Sequence, residues 1–259
     1  MAVAPADGAD VSEEVNQTDI TPASVAAPPA PDIPAAQGEL AASAQSQKYR
    51  FSRRIVSLSE PESDATESIR SLRAHLMAGH VRYGRRSLAT CGPNADAGST
   101  LVAVNLAVAF AQAGVNTLLI DANLRAPGVN KFIEPARAPG GLRKMLEDGD
   151  TLGADEVRRS VLPNLSILYA GEATRGASEL IANRSFKTII DDCMRDFEFT
   201  IVDAPTEHGH SDTRRVAMTL RYAMVIARRD RSYLSQVREL VNHLSTDKVQ
   251  IVGTFLTEF

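Results

Sequence analysis

Residues 92 to 100 read Gly92-Pro-Asn-Ala-Asp-Ala-Gly-Ser-Thr100, and this turn joins two apolar runs. The run before it, 87–91, predicts a strand, and the run after it, 101–113, predicts a helix. A glycine-containing turn between a strand and a helix can hold an anion on the backbone N–H groups of the helix N-terminus. Phosphate-binding loops of this kind usually end in Gly-Lys-Ser or Gly-Lys-Thr, whereas this loop ends in Gly-Ser-Thr. The stretch therefore predicts a phosphate-binding frame that lacks its lysine.

Segments typical of strands and of helices alternate through the rest of the chain. Several strand candidates are continuous runs of Val, Ile, Leu and Ala, which is typical of strands covered on both faces. The alternation predicts an α/β fold with a doubly wound, mostly parallel sheet and helices on both faces. Ligands bind such sheets beyond the carboxyl ends of the strands. The predicted strands are 87–91, 117–122, 165–170, 199–204, 222–227 and 250–256, and the predicted helices are 65–79, 99–113, 141–148, 184–196, 212–220 and 231–245.

The first 48 residues differ from the remainder in composition. They are rich in Ala and Pro, contain Leu40 as their only leucine and no aromatic residue, and carry seven acidic residues against Lys48. Such a segment cannot bury enough apolar surface to offset the entropy lost on ordering it. We therefore expect 1–48 to be a disordered acidic tail and 49–259 to form the folded domain.

Charge and apolar patterning exclude several classes of protein. The chain has a net charge of −4, of which the tail carries −6, so the domain is near neutral at +2 and nucleic acid is not an expected partner. No apolar run reaches the ~18–20 residues of a membrane span, and the acidic start lacks the basic region of a secretory signal. We therefore expect a cytoplasmic protein. Cys91 and Cys193 fall within predicted core elements and are expected to be buried thiols.

Two further predicted strands end in a carboxylate. The apolar run before Asp121 is followed by Asn123 and Arg125, and the run Phe-Thr-Ile-Val precedes Asp203. An aspartate at the end of an apolar strand has the form of a Walker B residue, which orients Mg²⁺ or its waters, and the Thr100 hydroxyl is a suitable Mg²⁺ ligand. Taken alone, each motif is also compatible with a structural turn or a helix cap. Their succession at three strand ends favours a nucleotide site.

These motifs give the chain a resemblance to a known family. Over roughly residues 60–258 it resembles the bacterial tyrosine kinases of capsule and exopolysaccharide synthesis, which are relatives of the MinD/ParA ATPases. The segments that carry the resemblance are the loop at 92–100, Ala103-Val-Asn105-Leu, Leu119-Ile-Asp-Ala-Asn-Leu-Arg-Ala-Pro127, Gly140-Gly-Leu, Asn164-Leu-Ser-Ile-Leu, Ser178-Glu-Leu-Ile, Ser185-Phe-Lys and Asp212. The resemblance implies a P-loop NTPase-like fold of the deviant Walker type and a site for ATP or ADP with Mg²⁺. It assigns nucleotide contacts to Gly98, Ser99, Thr100, Asp121, Asn123 and Asp203, and magnesium contacts to Thr100, Asp121 and Asp203.

A charged motif precedes the core. Glu67, Arg70 and Arg73 form a Glu-x-x-Arg-x-x-Arg pattern, which places the three side chains largely on one face of a helix. A solvated charged stripe is the plain interpretation of such a pattern. In the family that the chain resembles, the motif packs against a neighbouring subunit and builds a ring, so the resemblance implies a homo-oligomer.

The chain departs from the family pattern at residues to which the family assigns nucleotide binding and phosphoryl transfer. Ser99 occupies the position of the Walker A lysine, and Asn123 replaces the second aspartate of the Asp-x-Asp segment, the family's candidate general base. Thr257 stands where relatives often carry an asparagine that contacts the base of the bound nucleotide. The last tyrosine is Tyr233, within a predicted helix, so we expect no tyrosine-rich C-terminus of the kind that relatives phosphorylate.

The sequence therefore predicts a catalytically impaired, pseudokinase-like adaptor of exopolysaccharide polymerisation and export, with at most weak binding of ATP or ADP and Mg²⁺. The resemblance implies a separate transmembrane polysaccharide co-polymerase as partner, which would recruit the protein to the inner face of the cell membrane. Two alternatives stay open. The first is an active tyrosine autokinase or ATPase with a substituted Walker A site, to which a neighbour supplies the missing charge. The second is a ParA/MinD-like positioning ATPase, which the missing lysine disfavours.

Overall fold

The computed structural model describes residues 48–149, 156–206 and 211–258. The predicted acidic tail, apart from Lys48, lies outside the described residues. The strands are β1 (Tyr49–Phe51), β2 (Ser87–Cys91), β3 (Thr117–Asp121), β4 (Ile133–Pro135), β5 (Arg158–Leu162), β6 (Leu165–Leu168), β7 (Phe199–Asp203), β8 (Tyr222–Arg228) and β9 (Gln250–Thr257). The α-helices are α1 (Val56–Ser59), α2 (Asp64–Gly79), α3 (Ser99–Gln112), α4 (Gly141–Asp148), α5 (Ala177–Ala182), α6 (Arg184–Asp196), α7 (Asp212–Leu220) and α8 (Leu234–Thr246).

The main sheet confirms the predicted α/β class. Its seven strands run in the order β5-β6-β3-β7-β2-β8-β9. All neighbouring pairs are parallel except β5, which lies antiparallel to β6 at one edge. The short strands β1 and β4 pair antiparallel in a separate two-stranded sheet. Among the described residues, no helix is both long and apolar enough to cross a lipid bilayer.

Helices cover both faces of the main sheet, as the continuous apolar strands predict. Successive side chains of a strand point to opposite faces, so Leu118 packs into the cluster beneath α6 and α7, whereas Leu119 packs against α3. Helix α3 is buried almost all round, from Leu101 to Ala111, because α1 and α2 cover its outer side. Cys91 and Cys193 are buried as predicted, and burial raises the pKa of the Cys193 thiol to about 12.

Some elements are absent from the sequence prediction or begin elsewhere. Strands β1 and β4 have three residues each, too few for a period to emerge. The β5–β6 hairpin turns at Pro163 and Asn164, where Asn164 has a φ of 61°; this Pro-Asn pair is the signal that would have indicated it. Helix α8 starts at Leu234 rather than 231, because Ser232 accepts a hydrogen bond from the Arg228 N–H within the preceding turn.

Strand register brings the three predicted motifs together. In the middle of the sheet, Asp203 of β7 lies opposite Thr90 of β2 on one side and Asp121 of β3 on the other. The loop at 92–100 leaves the carboxyl end of β2, directly beyond these residues. All three motifs therefore meet at one edge of the sheet.

Gly141 at the start of α4 fixes a close backbone contact near this edge. Its φ is +69°, and a Cβ there would lie 2.3 Å from the Tyr169 carbonyl oxygen. The close approach allows the Leu142 N–H to donate to that carbonyl at 2.7 Å. Gly149 at the other end of α4 has a similar φ of +68°, but a Cβ there would meet nothing within 4 Å.

We predict that Gly141→Ala lowers the free energy of unfolding far more than Gly149→Ala. Both substitutions carry the left-handed backbone cost of about 1–2 kcal/mol, but only the first also drives a methyl group into backbone atoms. Urea unfolding followed by circular dichroism would measure the difference, which we expect to exceed ~2 kcal/mol. Equal losses for the two variants would contradict the close contact.

Candidate nucleotide-binding site

The glycine loop is joined to the sheet by one short hydrogen bond. The Thr100 hydroxyl donates to the Asp203 carboxylate at 2.6 Å. Gly98 adopts a left-handed conformation, with a φ of 82°, and caps α3 without a side-chain hydrogen bond. The N–H groups of the first turn of α3 therefore point beyond the loop with no side-chain cap among the described residues, which is the arrangement that binds an anion.

Two buried carboxylates lie side by side behind the loop. Asp121 and Asp203 are 1% and 0% exposed and are paired across β3 and β7. Burial raises the pKa of Asp203 well above its ordinary range, and the neighbouring charge of Asp121 raises it further. The hydroxyls of Thr100, Thr90 and Ser99 act in the opposite direction because they donate to the ionised form.

Asp121 acts as an anchor for the loop that follows β3. Its carboxylate accepts three backbone N–H groups, from Asn123 at 3.0 Å, Gly128 at 2.9 Å and Val129 at 3.0 Å. These bonds lower the pKa of Asp121, although burial, the larger effect, still raises it. Of the three predicted magnesium ligands, the structure thus brings Thr100 and Asp203 into contact and places Asp121 beside them with its oxygens bonded to backbone.

The middle of the same loop is fixed by a charged cluster. The Arg125 guanidinium donates to Asp212 at 2.9 Å and to the Ser178 hydroxyl at 2.6 Å, and Ser178 in turn donates to Asp212 at 2.6 Å. Asp212 is 1% exposed, so the ion pair is largely withdrawn from water. The three residues, each singled out in the sequence, therefore link three separate segments of the chain.

A cavity of about 780 Å³ opens in front of the glycine loop, a size suited to a small-molecule ligand. Of the predicted nucleotide contacts, Gly98, Ser99, Thr100 and Asn123 line it, whereas the two buried aspartates lie behind its wall. Thr257 lies close by, since a Cβ at Gly98 would be 3.6 Å from its hydroxyl oxygen.

Five cationic side chains line this cavity against a single acidic one, Asp96. They are Arg54, Arg125, Lys131, Arg228 and Arg231. Apart from Arg125, which contributes to the cluster with Asp212, none of them forms an ion pair within the described part of the chain. Four of the five were not among the predicted site residues, because Arg54, Lys131 and the segment that holds Arg228 and Arg231 lie far apart in the chain and share no motif.

The residues present fit an anionic ligand of nucleotide size. The cavity volume, the uncapped helix and the surplus of positive charge all favour phosphate. For Mg²⁺, the protein offers the Thr100 hydroxyl and Asp203. Within the described ranges, no group of three or more His, Cys, Asp or Glu side chains is arranged to hold a metal ion.

The charged motif on α2 divides into two parts. Glu67 and Arg70 are exposed and form an ion pair at 3.6 Å. Arg73 is half-buried and donates to the Ala109 carbonyl of α3 at 3.2 Å. Two of the three predicted interface residues therefore face outward, while the third stabilises the packing of its own chain.

We predict that Asp203→Asn raises the free energy of unfolding at pH 7.5 by at least about 1 kcal/mol in the presence of EDTA. Because the folded-state pKa of Asp203 is raised, wild-type stability is fully present at low pH and falls as the pH rises through that pKa. The asparagine keeps an acceptor for Thr100 and carries no charge. Urea unfolding from pH 4 to 8 would show that the difference in free energy of unfolding between the variant and the wild type grows as the pH rises.

Asp247→Asn is the matched control. Hydrogen bonds from Arg214 at 2.6 and 2.7 Å lower the pKa of Asp247, so that variant should be less stable than wild type at pH 7.5, with the gap closing as the pH falls through the lowered pKa. If both variants differed from the wild type in free energy of unfolding with the same sign, burial would not be the main influence on the pKa of Asp203.

Comparison with known proteins finds tyrosine-protein kinases and a succinoglycan transport protein among the relatives. No protein-family model matches the sequence. CapB of Staphylococcus aureus, a putative tyrosine-protein kinase, is 25% identical over 199 residues, which cover 77% of this chain and 86% of CapB. EpsB of Ralstonia nicotianae, also a putative tyrosine-protein kinase, is 28% identical over 206 residues, 80% of this chain and 26% of EpsB. ExoP of Rhizobium meliloti, a succinoglycan biosynthesis transport protein, is 26% identical over 214 residues, 81% of this chain and 26% of ExoP. The chain thus spans most of CapB but only about a quarter of EpsB and of ExoP.

Solved structures share the fold. The chimeric protein CapA2B2 superposes with a TM-score of 0.73 at 22% identity, over 81% of this chain and 92% of that one. The septum site-determining protein MinD of Pyrococcus horikoshii, solved with Mg-ADP, has a TM-score of 0.56 at 17% identity, over 66% of this chain and 69% of that one. These matches confirm the resemblance predicted from the sequence. The chain is a homologue of the bacterial tyrosine-protein kinases, built on the fold that they share with the MinD-type P-loop ATPases.

Proposed function

We propose that this protein is a regulator of exopolysaccharide polymerisation and export in which the kinase-type cavity binds nucleotide but transfers no phosphoryl group. The observation that carries the proposal is the pair of uncharged side chains in that cavity. Ser99 stands at the lysine position, and Asn123 at the position of the candidate base, and both line the same space. The names of the chain's relatives, tyrosine-protein kinase and succinoglycan biosynthesis transport protein, support a place in exopolysaccharide synthesis and export.

The two substitutions affect different steps of the reaction. A phosphoryl-transfer transition state concentrates negative charge that a lysine stabilises, and serine carries no charge. A general base accepts the proton of the attacking hydroxyl, and the Asn123 amide cannot accept it. Each loss is costly by itself, and general-base removal alone typically reduces a rate about 10²–10⁴-fold.

The partner that we propose is the cytoplasmic end of a transmembrane polysaccharide co-polymerase. That partner would hold the protein at the inner face of the membrane. We further propose a homo-oligomer through the outward-facing part of the α2 motif, Glu67 and Arg70.

A second function, an active tyrosine kinase or ATPase, has one observation in its favour. The cationic side chains around the cavity provide positive charge that the loop itself lacks. It also requires a base other than Asn123.

We predict no tyrosine phosphorylation when the full chain is incubated with γ-labelled ATP, Mg²⁺ and an added tyrosine-containing acceptor peptide. The control that shows the fold can support transfer is Ser99→Lys/Asn123→Asp, which restores both missing groups, and wild-type transfer should lie at least about 100-fold below it. Ser99→Met, similar in length to lysine but uncharged, should not raise the rate. Wild-type transfer equal to that of the double variant would refute the proposal in favour of the active kinase.

For the oligomer, we predict that Arg70→Ala shifts the light-scattering mass of the wild-type assembly to that of a monomer. At a dilution where the wild type is itself monomeric, the melting temperatures of the two proteins should be equal, since Arg70 is exposed. Arg73→Ala should lower the melting temperature as well, because Arg73 bonds to α3 within its own chain. A wild-type monomer at high protein concentration, alone and with the partner, would count against the ring.

A further inference from the structure

Positive side chains outnumber acidic ones around the cavity: Asp96 is the single acidic residue in its described lining, and the charge of Lys131 also acts on the buried Asp121. Arg54, Lys131, Arg228 and Arg231 line one space without an ion-pair partner in the described part of the chain. Gathering like charges around a cavity is unfavourable unless an anion joins them. The cavity therefore has the electrostatics of an anion site even though the loop has lost its lysine.

Arg54 is held at the cavity by contacts on both sides. Its guanidinium lies 5.2 Å from the centre of the Phe132 ring, a cation–π contact. Its backbone is fixed by Asn105, whose amide donates to the Arg54 carbonyl at 3.1 Å and accepts from the Val56 N–H at 2.8 Å. Asn105 is buried on α3, six residues or about 9 Å along the helix from Ser99. An arginine side chain anchored there can reach the helix N-terminus.

Lys131 approaches the loop from the next segment. It is one residue before Phe132 and three after Gly128, and its N–H donates to the Gly128 carbonyl at 3.1 Å. Gly128 lies directly against Thr100, since a Cβ there would be 3.0 Å from the threonine methyl group. The Lys131 side chain is exposed and lines the cavity.

The other cations are placed differently. Arg125 is engaged by Asp212 and Ser178. Arg228 ends β8, and Arg231 follows it in the segment that contacts the start of the glycine loop, where the Asn94 amide donates to the Arg231 carbonyl at 3.2 Å. Arg54 and Lys131 therefore flank the Ser99-Thr100 end of the loop, the end at which a lysine would reach the outer phosphates.

We propose that Arg54 and Lys131 are specificity residues that contact the outer phosphates of a nucleoside triphosphate in place of the lysine lost at Ser99. This inference rests on the proposed function, since it specifies how the same cavity binds nucleotide without transferring phosphate. The two cations supply binding charge from the cavity rim, while Asn123 leaves the site without a base.

Calorimetric titration of the full chain with ATP and with AMP, each with Mg²⁺, tests the proposal. Arg54→Gln/Lys131→Gln should weaken ATP binding at least ten-fold and change AMP binding less than two-fold, because AMP lacks the outer phosphates. Arg53→Gln is the matched control, since Arg53 is exposed but does not line the cavity, and it should bind both nucleotides as wild type does. Introducing Ser99→Lys into the double variant should recover the ATP affinity.

Unchanged ATP affinity in the double variant, an equal loss for ATP and AMP, or no ATP binding by the wild type would each overturn the proposal. Lys131→Gln alone leaves the Arg54–Phe132 contact intact, so it separates lost charge from lost packing if the double variant folds poorly. Absence of ATP binding by the wild type would also overturn the nucleotide binding in the proposed function, whereas label transfer by the wild-type chain would overturn the proposed function alone. Label transfer that persists alongside selective loss of ATP affinity would leave the cation assignment standing.

Discussion

The hydrogen bond from the Thr100 hydroxyl to the Asp203 carboxylate, at 2.6 Å, joins the glycine loop to the middle of the sheet. Asp203 is wholly buried, with Asp121 as its neighbour across the strand pair. This bond holds the first turn of α3, and with it Ser99 and the adjoining wall of the cavity, against the sheet. Holding an ionisable group in such a place costs stability, and binding sites are where proteins commonly accept that cost.

The fold could be predicted from the sequence because its strands are buried on both faces. Runs such as those before Asp121 and Asp203 have no polar alternation, and glycine or proline punctuates the segments between them. What the sequence did not predict were the elements that depend on distant partners. Strand β1 exists because β4 pairs with it from 82 residues further along in register, as in Phe51 opposite Ile133, and three residues carry no period of their own.

In the candidate site, too, some features could be predicted from the sequence and others depend on residues that are distant in the chain. The ends of β2, β3 and β7 could be placed together because parallel strands present their carboxyl ends at one edge, and the structure confirms that placement. The role of Asp121 as a loop anchor could not be foreseen, since it depends on three N–H groups of the following loop. Arg54 and Lys131 could not be predicted because only folding brings the segment before α1 and the segment before β4 to the same loop. The magnesium role of Thr100 and Asp203 stays a prediction.

The exposure of Arg54 and Lys131 on the cavity rim has a physiological consequence. Charges that face bulk water are screened over a Debye length of about 8 Å at 0.15 M ionic strength. Occupancy of this cavity would therefore track the salt content of its surroundings as well as the supply of nucleotide.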